Sequence, residues 1–162
     1  MNFQQFSGTV TSISDFQIST NDENRGCYQL FSVDSGYGNV VNFVIEPETY
    51  FIDHEMVAVG DRVTGFYDAN APVPLIYPPQ YRAIVMTKEH PYQNVKVDFF
   101  NSQLISSDGS LMLNISSGTE IVLENGQSFN HNPINRNLIV TYGPTTRSIP
   151  AQTTPFKIIV IC

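Results

Sequence analysis

Asp53-His54-Glu55 is the cluster in this sequence that most invites a chemical reading. An imidazole between two carboxylates offers metal ligands or an acid–base pair. Successive residues of a strand point to opposite faces, so the three can converge only on a turn. A metal needs further ligands, and His90 and His131 stand far off in the chain. The cluster is therefore expected to be a polar turn, with a metal-dependent enzyme built on it as the alternative. Cys27, in the run Cys27-Tyr28-Gln29-Leu30-Phe31, would need a histidine to act as a nucleophile. Its apolar strand-like surroundings predict an inert, packed thiol. Cys27 and Cys162 together make neither a disulfide framework nor a metal quartet. A glycine-rich phosphate loop and a G-x-S-x-G elbow are both missing from the sequence. Asn114-Ile115-Ser116 matches a glycosylation sequon at the end of a core strand. No catalytic residue, metal or cofactor is assigned.

Two proline-bearing stretches are the better candidates. Ala71-Pro72-Val73-Pro74-Leu75-Ile76-Tyr77-Pro78-Pro79-Gln80-Tyr81 is dense in apolar and aromatic residues for a loop, whereas loops are ordinarily polar and exposed. Proline stiffens such a segment and lowers the entropy lost on ordering it. A loop this apolar is expected to fold back over its own core or against the other half of the chain. If it is exposed instead, it is a recognition surface for a protein, a peptide or a small molecule. The second stretch, residues 145–155, offers the hydrogen-bonding groups of Thr145, Thr146, Arg147, Gln152 and Thr153. The candidate ligand-binding residues are Tyr67, Tyr77, Tyr81, Arg82, Tyr142, Arg147 and Gln152.

The chain that must position these groups has 162 residues, of which 41% are apolar and only 14% charged. That apolar share supports a packed core and argues against disorder. The low charge leaves a surface of Ser, Thr, Asn and Gln, as suits half-buried pleated faces. The formal charge of −7 is uneven. Residues 1–93 hold eleven acidic and four basic side chains, and residues 94–162 hold four of each. A nucleic-acid binder needs cations against phosphate, so the acidic balance argues against nucleic acid and against anionic membranes. No apolar stretch is long enough for a membrane span. The opening Met1-Asn2-Phe3-Gln4-Gln5 lacks a signal peptide's basic flank and apolar core. That points to the cytoplasm if Met1 is the native start, and leaves export or the cell surface open if it is not.

Strand signals dominate: residues 6–13, 27–33, 40–45, 49–52, 62–67, 81–87, 95–100, 104–106, 111–115, 120–123, 137–142 and 156–161. Asp34-Ser35-Gly36-Tyr37-Gly38-Asn39 and Glu124-Asn125-Gly126 read as hairpin turns. Helical periodicity is not convincing anywhere, and one short helix is allowed within residues 53–60. A polar linker at residues 88–94 separates two halves that look duplicated. Residues 62–86 and 137–161 lie side by side without gaps, matching Tyr67 to Tyr142, Tyr81 to Phe156 and Ile84 to Ile159. Residues 43–49 likewise match 113–119. The expected fold is all-β, with two small related barrel-like (OB-like) domains in tandem at residues 1–90 and 91–162.

The stretches Gly65-Phe66-Tyr67-Asp68-Ala69-Asn70-Ala71-Pro72, Ile76-Tyr77-Pro78-Pro79-Gln80-Tyr81 and Thr145-Thr146-Arg147-Ser148-Ile149-Pro150-Ala151-Gln152-Thr153-Thr154-Pro155 resemble a family from clostridia and related Gram-positive bacteria. Members of that family carry such tandem OB-like units, some of them ahead of a copper-amine-oxidase N-terminal-like stalk domain in exported proteins. No activity comes with the resemblance, and it implies a binding or structural module. The function expected from the sequence is therefore a non-enzymatic binding or interaction module. The alternatives are a metal-dependent enzyme at Asp53-His54-Glu55 and an OB-type single-strand binder stacking bases on Tyr28, Phe31, Phe43 and Tyr50.

Overall fold

A computed structural model describes residues 1–18 and 22–162. The protein is all-β, and the described residues contain no α-helix. The chain divides into two compact units, Met1–Glu89 and His90–Cys162.

In the first unit, β1 (Phe3–Asp15) is long enough to serve two neighbours. Its first part pairs with β5 (Arg62–Asp68) and its second with β2 (Gln29–Asp34), both antiparallel. Gly8 marks the changeover, where a methyl group would sit 2.3 Å from the Asp34 carbonyl oxygen. β2 turns into β3 (Val40–Ile45) through residues 35–39. There the Asp34 carboxylate accepts the Gly36 N–H at 2.8 Å, and Gly36 and Gly38 adopt the positive φ angles such a turn requires. β6 (Gln80–Arg82) runs parallel to β3, and β7 (Val85–Lys88) runs antiparallel to β5. Short β4 (Tyr50–Phe51) lies parallel to β7 at the sheet edge. Only Ala83 and Ile84 separate β6 from β7. They carry the ladder between them, Ala83 donating its N–H to the Val44 carbonyl and Ile84 to that of Phe66. Alternation turns Val10, Phe31, Val33, Phe43 and Val63 inward to form the core with Met86.

The second unit uses β8 (Asn94–Phe100), β9 (Leu111–Leu113), β10 (Glu120–Leu123), β11 (Arg136–Tyr142), β12 (Ala151–Thr153) and β13 (Lys157–Ile161). Four of its pairings repeat those of the first in register, while the β1–β2 and β2–β3 ladders have only the single bridges Phe100↔Ser106 and Ile105↔Met112 in their place. Phe6↔Gly65 recurs as Lys96↔Val140, and Phe43↔Tyr81 as Leu113↔Thr153. Tyr50↔Val85 recurs as Glu120↔Lys157, and Val63↔Lys88 as Leu138↔Val160. A threonine clamp recurs with them. The Thr49 hydroxyl accepts the Glu46 N–H at 3.0 Å and donates to the Ala83 carbonyl at 2.8 Å. The Thr119 hydroxyl does the same between Ser116 N–H at 3.2 Å and the Pro155 carbonyl at 2.8 Å.

These registers correct the gapless match of the two halves. Tyr67 does correspond to Tyr142, but Tyr81 corresponds to Thr153, and Ile84 to Phe156. The reason is the connection between the paired strands, which runs over residues 69–79 in the first unit and only 143–150 in the second. Further local corrections follow. Residues 104–106 make isolated bridges from Phe100 to Ser106 and from Ile105 to Met112, not a strand. β12 falls inside the second proline stretch, where no strand was expected. The short helix is a single 3-10 turn, Ile52–His54.

Candidate binding surfaces

The first proline stretch does not fold back over its core. Leu75 is fully exposed at 102% and Tyr77 is 79% exposed, with Ile76 at 54% and Val73 at 44%. Its base is tied down: Ala71 N–H donates to the Asp68 carbonyl, Asn70 N–H to the Asp68 carboxylate at 3.0 Å, and Asn42 N–H to the Pro79 carbonyl. Between Pro72 and Pro78, among the described residues, no hydrogen bond ties the loop to the strands. Proline at 72, 74, 78 and 79 replaces that ladder as the source of stiffness. The outcome is a pre-stiffened apolar projection.

At the foot of this loop Tyr67 and Tyr81 stack face to face, with centroids 3.9 Å apart and planes 8° from parallel. Tyr67 also packs on Phe43 at 6.2 Å, so the pair covers one end of the core. Burial raises the Tyr67 phenol above its usual value, and the neighbouring Tyr81 phenol adds to the shift. Arg82 reaches Glu46 at 3.8 Å. Tyr81 and Arg82, with Asp68 and Pro72, line a crevice of about 30 Å³, room for about one water. Tyr67, Tyr81 and Arg82 are thus brought together under the loop, and Tyr77 stands on it.

In the second unit Tyr142 is half-buried; burial raises its phenol, and the negative charge of Asp108 does so further. Arg147 is exposed. Gln152 is engaged within its own unit. Its backbone N–H donates to the Thr146 hydroxyl at 2.9 Å, its carbonyl accepts the Thr146 N–H, and its side-chain oxygen accepts the Asn114 amide at 3.2 Å. Thr153 donates to the Pro144 carbonyl at 2.9 Å. These bonds of Thr146, Gln152 and Thr153 hold the second loop.

Asp53-His54-Glu55 lies on the 3-10 turn and the residue after it. Asp53 and His54 both take positive φ, 58° and 51°, which is uncommon for residues with a Cβ. Among the described residues no three His, Cys, Asp or Glu side chains gather to hold a metal. Cys27 is not packed in a strand: it sits exposed in the turn before β2, its thiol 3.8 Å from the Glu23 carbonyl. Cys162 is also free and exposed. Sequence reasoning missed an open groove of about 580 Å³ between β1, β2 and the segment after β4, with Phe31 and Phe51 in its floor. The signal was present as Met56-Val57, two apolar residues directly after the acidic cluster. No described helix is long and apolar enough to cross a membrane. Set against known proteins, the chain matches no family model, no curated protein and no solved structure.

Proposed function

We propose that this chain is a non-enzymatic interaction module made of two OB-like β-barrels, which engages a protein partner through the proline-framed loop at residues 72–79. The carrying observation is the outward run Val73-Pro74-Leu75-Ile76-Tyr77, whose four large side chains are all exposed, Leu75 and Tyr77 most fully. Exposed contiguous apolar groups rimmed by polar ones mark interaction sites, and a stiff loop loses little entropy on docking. The OB-like reading rests on the order β1-β2-β3, then β6 parallel to β3, then β7 antiparallel to β5, and β5 back to β1. In OB barrels the loop before the last strand is a recurrent contact element, and residues 69–79 hold that place. Membership of the clostridial and Gram-positive family described above belongs to the same proposal.

The test is affinity capture from the native cell with the tagged full chain, beside Leu75→Asp and Tyr77→Ala. A partner held by the wild type is expected to be lost with Leu75→Asp, an effect of about 2 kcal/mol or more for a central apolar anchor. Tyr77→Ala weakens it in the same direction. Both variants keep the wild-type unfolding midpoint. An identical set of captured proteins from all three chains would sink the proposal.

A further inference from the structure

The groove beside β4 is a separate feature from the proline loop, and its chemistry names an occupant. Its volume of about 580 Å³ falls within the range of ligand-binding clefts. Phe31 and Phe51 meet edge to face at 6.3 Å in its floor, and Ile13 lines it beside them. Met56, 88% exposed, stands along one wall as a flexible apolar surface that adapts to an inserted side chain. His54 and Glu55 complete that wall, with exposed Asp53 next to them in the chain. Asp15 ends β1 two residues beyond Ile13.

Charge selects among apolar occupants. The whole −7 of the chain lies in Met1–Glu89. Three of that unit's four cations are paired within it: Arg62 with Glu89 at 3.0 Å, Arg82 with Glu46 and Lys88 with Asp61 at 3.3 Å. Lys88 also donates to the Met56 carbonyl at 3.4 Å, so the cation behind the groove wall is already engaged. An apolar slot in a negative field attracts a cationic partner and repels an anionic one.

We propose that this groove binds a peptide segment bearing one large apolar anchor flanked by lysines or arginines. The anchor lies on Phe31 and Phe51 against Met56, and the flanking cations face Asp53, Glu55 and Asp15. The left-handed turn at Asp53 and His54 shapes the wall that carries Asp53 and Glu55, and Asp15 lies at the end of β1.

The test uses the full chain and three fluorescein-labelled peptide amides, Lys-Leu-Phe-Leu-Lys, Gln-Leu-Phe-Leu-Gln and Glu-Leu-Phe-Leu-Glu, followed by fluorescence anisotropy. Expected is saturable one-to-one binding of the lysine peptide that weakens as salt is raised and is at least about tenfold weaker with Met56→Lys. His54→Gly weakens it too, and glycine suits that positive φ, so this variant folds. Leu75→Asp leaves it unchanged, which separates this site from the proline loop. No saturable binding, or equal affinity for the glutamine peptide, overturns the proposal. So does binding indifferent to Met56→Lys, or a concentration-dependent dimer that Met56→Lys dissociates, because the groove would then hold a second copy of the chain.

Discussion

The two units share a frame of backbone pairings and fill it with opposite chemistry. Between the paired strands, the first unit has eleven residues (69–79) that project apolar side chains, and the second has eight (143–150) laced by their own hydroxyls. Thr146 bonds Ser148 at 2.7 Å, Ser148 bonds the Pro150 carbonyl at 2.8 Å, and Thr146 also receives the Gln152 N–H. In the cores the exchange runs the other way. Phe43 and Gly65 of the first unit occupy the places of Leu113 and Val140 in the second. The pairings set where a residue sits, and volume and hydrogen-bonding capacity decide what that place does. The first loop exposes four large apolar side chains, and the second exposes Ile149 alone.

Transplanting the filling gives the largest effect. A methyl group at Gly65 would lie 2.6 Å from the Phe43 ring, so Gly65→Val is expected to cost about 3 kcal/mol, the upper range for overpacking. Combining it with Phe43→Leu copies the second unit's pair and is expected to recover part of the loss, a coupling that a double-mutant cycle by urea unfolding measures. An additive double mutant would break the equivalence of these positions. The threonine clamps sharpen the comparison at the next level. Thr49→Val and Thr119→Val each leave the N–H of Glu46 or Ser116 and one carbonyl without their partner. Each is expected to cost about 1–2 kcal/mol, and nearly the same in both units.

Much of this frame was readable beforehand, because strand alternation and turn chemistry are local. Val40–Ile45 and Glu120–Leu123 have the expected bounds, and the Asp34-to-Asn39 turn joins β2 to β3. Most of what failed depended on partners distant in sequence, with Cys27 the local exception. Cys27 followed Gly26, which takes positive φ, and so belongs to a turn and not to the strand its apolar neighbours suggested. β12 exists because β9 offers a parallel edge to residues 151–153, an edge no local propensity announces. The slip between Tyr81 and Phe156 arose from treating two loops of different length as equal. At the candidate surfaces, the residue types of the first loop were legible and its exposure was not. The groove was invisible because Ile13, Phe31, Phe51 and Met56 meet only after three strands have paired.

Acid is expected to weaken the second unit by about 1 kcal/mol through Asp108, beside the smaller contributions of the first unit's lowered carboxyls, Asp61 and Asp68. Burial alone would raise the Asp108 carboxyl, but hydrogen bonds from Lys96, Ser106 and Ser110 outweigh it and hold the group well below the usual carboxylate range. A depressed carboxyl stabilises the fold above its unfolded value of about 3.9 and loses that contribution as pH falls through the folded value. The second unit should therefore weaken below about pH 4. Asp108→Asn should remove that slope at a neutral-pH cost of about 1 kcal/mol, kept small because the side chain is half exposed to screening solvent. An unchanged acid slope in Asp108→Asn would assign the weakening elsewhere.

The smallest effects bear most directly on the contrast between the loops. Leu75→Ser removes a side chain that touches solvent, so stability should stay within about 0.5 kcal/mol of wild type. Thr146→Val removes the hydroxyl that receives the Gln152 N–H and bonds Ser148, and should cost about 1 kcal/mol. Hydrogen exchange reads the same difference without mutation. The amides of Val73, Leu75, Ile76 and Tyr77 have no acceptor among the described residues and should exchange at near-unfolded rates, while those of Thr146 and Gln152 are slowed by their bonds. Equal protection of the two sets would mean that the first loop is covered in solution, and its apolar run would then be part of the fold and not a contact surface.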